Sequence, residues 1–144
     1  MKIKVLYIHH YGDFGGSSRS LFELLKQDGG RELEPVVICP RGTASNVFQT
    51  VAKVVEVAGL FKWNNTFYSH YQGIRWLVLL RELYYLPSSI KAIVEVFRNH
   101  SDIELIHFNE SCLSVFATLM NLFLKRTIVV HCRTLIVGND KSAG

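Results

Sequence analysis

Residues 3–21 read IKVLYIHHYGDFGGSSRSL, and the place where the apolar run stops decides how the rest of the chain is read. Ile3–Ile8 alternates and then becomes continuously apolar, the pattern of a strand entering a sheet covered on both faces. His9 to Ser20 follow, with Gly12, Gly15 and Gly16 and then Ser17 and Ser18. Behind them Leu21, Leu24 and Leu25 fall at helical spacing. A plain strand-to-helix connector needs one glycine. Several remove Cβ atoms from the bend and let backbone amides approach a ligand, and Ser17 or Ser18 offers a cap for the helix. The free N–H groups and dipole of such a helix start form an anion site, for which phosphate or diphosphate is the natural guest. The spacing is neither G-x-G-x-x-G nor G-x-x-x-x-G-K-[ST], so the dinucleotide and P-loop fingerprints are both absent. A tight turn that merely packs helix on strand is the alternative.

Working outward, four more strand patterns appear: Pro35–Cys39, Val54–Val57, Glu104–Phe108 and Thr127–Cys132. Helical patterns lie between them. Val47, Phe48 and Val51 follow a turn in which Ser45 is a candidate N-cap. Gly73–Tyr85 is apolar around most of its circumference, with Arg75 and Glu82 marking a narrow polar face. Pro87 ends or restarts that helix, and Ile90, Ile93, Val94 and Phe97 then form a core stripe opposite Lys91, Glu95 and Arg98. A last helix runs over Ser111–Lys125. Strands alternating with helices give an α/β fold with right-handed crossovers. The expectation is a Rossmann-like, doubly wound parallel sheet of order 3-2-1-4-5 in three layers. Residues 1–144 make one domain.

The composition fits this fold. Apolar residues are 49% and charged residues 19% of the 144, which is globular rather than disordered. The net charge of +4 suits anionic metabolites or an anionic membrane surface and is too diffuse to argue for nucleic acid. Cys39, Cys112 and Cys132 are widely spaced in apolar segments, which reads as reduced, buried thiols in a cytoplasmic setting. The basic start Met1–Lys4 has too short an apolar run behind it for a secretory signal, since the run stops at His9.

In a doubly wound sheet, ligands bind at the carboxyl ends of the strands where the winding reverses. Here that point lies between the first and fourth strands, at His9–Gly16 and His107–Glu110. The candidate rim is His9, His10, Asp13, His107, Asn109 and Glu110, joined by His131 and Arg133 from the fifth strand's end. Arg19 and Arg41 add positive charge nearby. Histidines there can hydrogen-bond, hold a phosphate or ligate a metal, and Asp13 or Glu110 could complete a metal set. No His-x-x-x-His or His-Glu-x-x-His is present, so no metal is assigned.

Three segments together resemble the amino-terminal domain of glycosyltransferase family 4, a group of GT-B enzymes: the first strand ending in a Gly-Gly loop, LIHFNE at the fourth strand's end and IVVHCRT at the fifth. The resemblance implies that Gly15, Gly16 and Ser17 approach the diphosphate of a nucleotide-sugar donor. It implies that His131 faces the donor sugar as the catalytic residue, and that a glycan or lipid-linked acceptor lies against His9, His10, Asp13, His107, Asn109, Glu110 and Arg133. It further implies retaining transfer without a cofactor, with a separate carboxyl-terminal domain holding the nucleotide. The chain departs from the family in following Gly-Gly with SSRSL and in reading HCR where relatives read HG.

Trp76, Tyr84, Tyr85, Arg75 and Arg81 on an apolar helix are suited to a lipid headgroup layer, so residues 73–86 are a candidate peripheral contact with the inner face of the cell membrane. The functional expectation is therefore the acceptor-side half of a retaining glycosyltransferase, inactive without its donor-binding domain. Two alternatives stand beside it. One is a metal-dependent hydrolase on the histidine rim. The other is a non-catalytic anion-binding module.

Overall fold

The computed structural model describes residues 2–63 and 73–133; Thr134, the last residue of IVVHCRT, lies outside them. The elements run β1 (Ile3–Ile8), α1 (Gly16–Asp28), β2 (Leu33–Pro40), α2 (Thr43–Phe48), β3 (Lys53–Val57), α3 (Trp76–Tyr84), α4 (Leu86–Asn99), β4 (Leu105–Phe108), α5 (Ser114–Phe123) and β5 (Thr127–Val130). Among the described residues the strands form one parallel sheet of order β3-β2-β1-β4-β5. This is the Rossmann-like arrangement expected from the sequence.

Crossover handedness explains the layers. From β1 the chain steps outward to β2 and β3, then returns across β1 to β4 and β5, so right-handed connections place the two sets of helices on opposite faces. Side chains divide by strand parity. Leu6, Ile8, Val36, Ile38, Ile106 and Phe108 meet Ala92, Ile93 and Val96 of α4 and Phe116, Ala117 and Met120 of α5. Val5, Tyr7, Val37 and Cys39 meet Leu21 and Leu25 of α1 and Ala44 and Phe48 of α2.

Several local expectations are corrected. Neither Ser17 nor Ser18 caps α1; the N-cap is Gly15, with no side-chain cap. The N-cap of α2 is Gly42, and Ser45 sits one turn further in, its hydroxyl bonded to the Gly42 backbone and to Glu56 Oε1. The α4 stripe is rotated: Ser89, Ala92, Ile93 and Val96 are buried, whereas Ile90 and Val94 are exposed. The cause is Ser89, whose hydroxyl donates to Tyr85 O (2.7 Å) and accepts from Phe61 N–H (2.8 Å), fixing that face inward. Glu82, expected on a polar outer face, is only 2% exposed. β5 stops at Val130 because β4, its sole partner among the described residues, ends at Phe108, which leaves Cys132 exposed; Cys112 is half-buried and Cys39 buried.

Candidate functional site

The carboxyl ends of β1, β4 and β5 meet at the winding reversal. Tyr11, Asp13, Gly15, Gly16, Ser17, Glu110 and Arg133 line a cleft of about 420 Å³ there. Residues far apart in the chain are thus brought to one place, as the strand order requires.

The glycines of the loop have different duties. A Cβ on Gly12 would stand 3.0 Å from Arg41 O, and one on Gly42 would collide with the Gly12 backbone. These two let the β1 and β2 loops cross, sealed by Ala44 N–H donating to Gly12 O at 2.8 Å. Gly15 and Gly16 are unlike them. A Cβ at either would meet nothing within 4 Å, and neither has a positive φ. Packing and backbone conformation therefore do not require glycine at these two positions, and what bareness provides is access to the amides. Among the described residues the N–H groups of Gly16, Ser17 and Ser18 have no partner, as at any helix start left uncapped. They open a 13-residue helix with no acidic residue in its first turn.

A buried relay holds this bend. The Nε2 of His9 is 2.8 Å from Ser18 Oγ, and that hydroxyl donates to Asp13 O at 3.0 Å. Its Nδ1 lies 3.0 Å from Asn109 Nδ2, which also donates to Ser17 O at 3.3 Å. Asn109 Oδ1 accepts from Arg133 Nη2 at 2.7 Å. Only one protonation pattern satisfies every member: His9 is neutral, accepts at Nδ1 and donates from Nε2. Burial, and secondarily Arg133, holds its pKa down to about 4, which agrees. The opposite Asn109 amide orientation would face –NH₂ toward a guanidinium.

His9 was expected on the acceptor rim. Fully buried, with both ring nitrogens engaged, it positions the bend instead of touching a ligand. Asn109 is buried behind Arg133 in the same way. Arg133 has its Nε buried without a partner while lining the cleft, so it retains a donor. His131 does not line the cleft. Its Nδ1 is 3.4 Å from Arg133 Nη2, and its ring stacks on His107 at 5.8 Å. His107 lies edge-on to Tyr7, and burial lowers its pKa to about 4.

The loop's other side faces a second cleft of about 220 Å³, lined in part by His10, Gly12, Lys62, Glu82 and Tyr85. The Sγ of Cys112 is 3.5 Å from His10 Nε2. Burial pushes the thiol up to about 12 and the imidazole down to about 3, so the pair is neutral and not an activated thiolate. Lys62 escaped the sequence reading because it arrives from the β3–α3 connection, which carries no motif, and Glu82 of α3 was read as part of an outer polar face and turns inward instead. Among the described residues no three of His, Cys, Asp and Glu converge on a common point, and His9 has no nitrogen left for a metal. Arg19 is exposed in solvent, and Arg41 lies 3.9 Å from Glu56, away from the cleft.

No family model matches this chain, and neither a curated protein nor a solved structure matches it.

Proposed function

We propose that this domain binds the diphosphate of a nucleotide sugar as the acceptor-side half of a retaining glycosyltransferase. The observation that supports it is the start of α1: uncapped, bare of Cβ at Gly15 and Gly16, and facing a cleft that also holds Arg133. Unpaired amides, a helix dipole and a guanidinium are the groups that neutralise a diphosphate. They are also the groups that stabilise it as a leaving group, commonly the largest catalytic contribution. In this proposal the transferred sugar extends past the cleft to His131, which adjoins Arg133, and the acceptor borders Asp13 on the cleft wall.

The test is titration of the domain with inorganic phosphate, pyrophosphate, uridine diphosphate and guanosine diphosphate, followed by calorimetry. Pyrophosphate and at least one nucleotide should bind more tightly than phosphate, and Arg133→Gln or Gly16→Val should weaken all of them about tenfold or more, the scale of one charge-assisted hydrogen bond. Equal binding by wild type and both variants would remove the cleft from the proposal.

A second observation favours a membrane-bound acceptor. Helix α3 is partly inverted: beside Leu79 it buries Glu82, paired with Arg81 at 2.8 Å, and it leaves Trp76, Leu77, Leu80 and Tyr84, with neighbouring Ile74, more than half exposed. Soluble helices place these residue types the other way round. Arg75, Lys91 and Arg98 are exposed on the same helical pair, and apolar side chains among cations suit an anionic lipid surface. Among the described residues no helix is long and apolar enough to cross a membrane.

A further inference from the structure

One group in the cleft is unexplained by anion binding. Glu110 is a carboxylate in a site otherwise arranged for negative charge. It is only 9% exposed, yet no described residue donates to its oxygens or pairs with it. Arg133 lines the same cleft but spends its Nη2 on Asn109 and makes no ion pair with Glu110. The backbone at this point is firmly held: Asn109 N–H donates to Ile8 O at 3.0 Å, and Glu110 O accepts from Leu113 N–H at 3.1 Å. The side chain is therefore presented to the cleft by a fixed strand end.

The carboxylate oxygens of Glu110 reach the cleft, since among the described residues Arg133 Nε is the one buried side-chain polar atom without a partner, and an ionised carboxylate can only accept hydrogen bonds. Set near a bound phosphate it repels the anion unless a donor stands between them. The cleft's volume falls in the ~300–1,000 Å³ range of small-molecule sites, with room for more than the phosphate itself. We infer that Glu110 accepts a hydrogen bond from a hydroxyl of the group carrying the phosphate, which makes it a specificity residue for a phosphorylated sugar over a bare anion. This rests on the phosphate site assigned above.

Calorimetry on the domain in the presence of EDTA, with inorganic phosphate, glucose 1-phosphate and ribose 5-phosphate as probes, tests it. At least one sugar phosphate should bind about tenfold more tightly than phosphate, the scale of a hydrogen bond to a charged group. The two sugars distinguish a hexosyl from a ribosyl contact. In Glu110→Ala that preference should vanish, while inorganic phosphate binds equally or a few-fold more tightly because a like charge is gone. Should circular dichroism show Glu110→Ala misfolded, the near-isosteric Glu110→Gln should cut the preference at least threefold. Phosphate bound with no sugar preference, or a preference untouched by the substitution, overturns this inference alone. A preference that appears only when magnesium replaces EDTA also overturns it, by making the carboxylate a metal ligand. Failure of every probe to bind overturns the phosphate site as well.

Discussion

Lowering the pH from 7 to 5 should strip the fold of much of its stability, because three imidazoles are held neutral inside it. Burial, the leading cause for each, lowers the pKa of His9 to about 4, of His10 to about 3 and of His107 to about 4, against an ordinary value of 6.5. The folded values lie below the unfolded one. As pH falls through 6.5 the unfolded chain therefore takes up protons that the folded chain refuses. Stability is complete above pH 6.5 and is lost progressively as pH falls toward the folded values. At pH 5 each imidazole has withdrawn about 2 kcal/mol. His9 contributes in part to the lowering at His10, so the three together remove about 4–6 kcal/mol, a large share of the ~5–15 kcal/mol total of an ordinary domain. Asp102 is lowered, chiefly by its hydrogen bond from Lys4, so the stability it contributes is lost only at pH below this window. The assay is urea unfolding at pH 7, 6 and 5, where the midpoint should fall by about 2–3 M overall. His107→Phe, which keeps an aromatic ring beside Tyr7 and His131, should remove about a third of that fall while changing little at pH 7. A midpoint constant to within about 0.5 M from pH 7 to 5 would refute the neutral-imidazole account of the relay.

Other outcomes follow from the same contacts. In urea unfolding, Gly42→Ala and Gly59→Ala, whose new methyls meet the Gly12 backbone and the Tyr85 ring, should each destabilise by about 1–3 kcal/mol; Gly15→Ala should stay within about 1 kcal/mol in the same assay. Asn109→Ala leaves His9 Nδ1 and Ser17 O without their donor and should cost about 2–3 kcal/mol, together with a loss of phosphate affinity that calorimetry would register. In cosedimentation, vesicles containing 30% anionic lipid, on the order of a charged inner leaflet, should carry the protein down. The pair Trp76→Ser and Leu80→Ser should release it, and equal recovery of both proteins would dismiss the lipid contact.

The strand order was legible in the sequence because it follows from local pattern and chirality. Ile3–Ile8 announces a buried strand, five such strands alternate with helices, and right-handed crossovers leave few arrangements. The reversal point, and with it the meeting of the glycine bend and the β4 end, came with that order. What each side chain does there was not legible. His9, Asp13 and Asn109 look alike as rim residues in the sequence, but His9 and Asn109 lie 100 positions apart and become a buried relay only when β1 and β4 pair. Gly12, Gly15 and Gly16 are one motif on paper. The approach of the Gly42 loop makes the first a packing requirement and leaves the others open. Periodicity likewise placed α3 correctly as a helix and could not say that Glu82 turns inward while Trp76 and Leu80 turn out. Backbone propensity and hydrophobic period act between neighbours in the chain, so the sequence alone determines elements and their order. Burial, protonation and access depend on which distant atoms fill the surrounding space, and only the folded structure decides those.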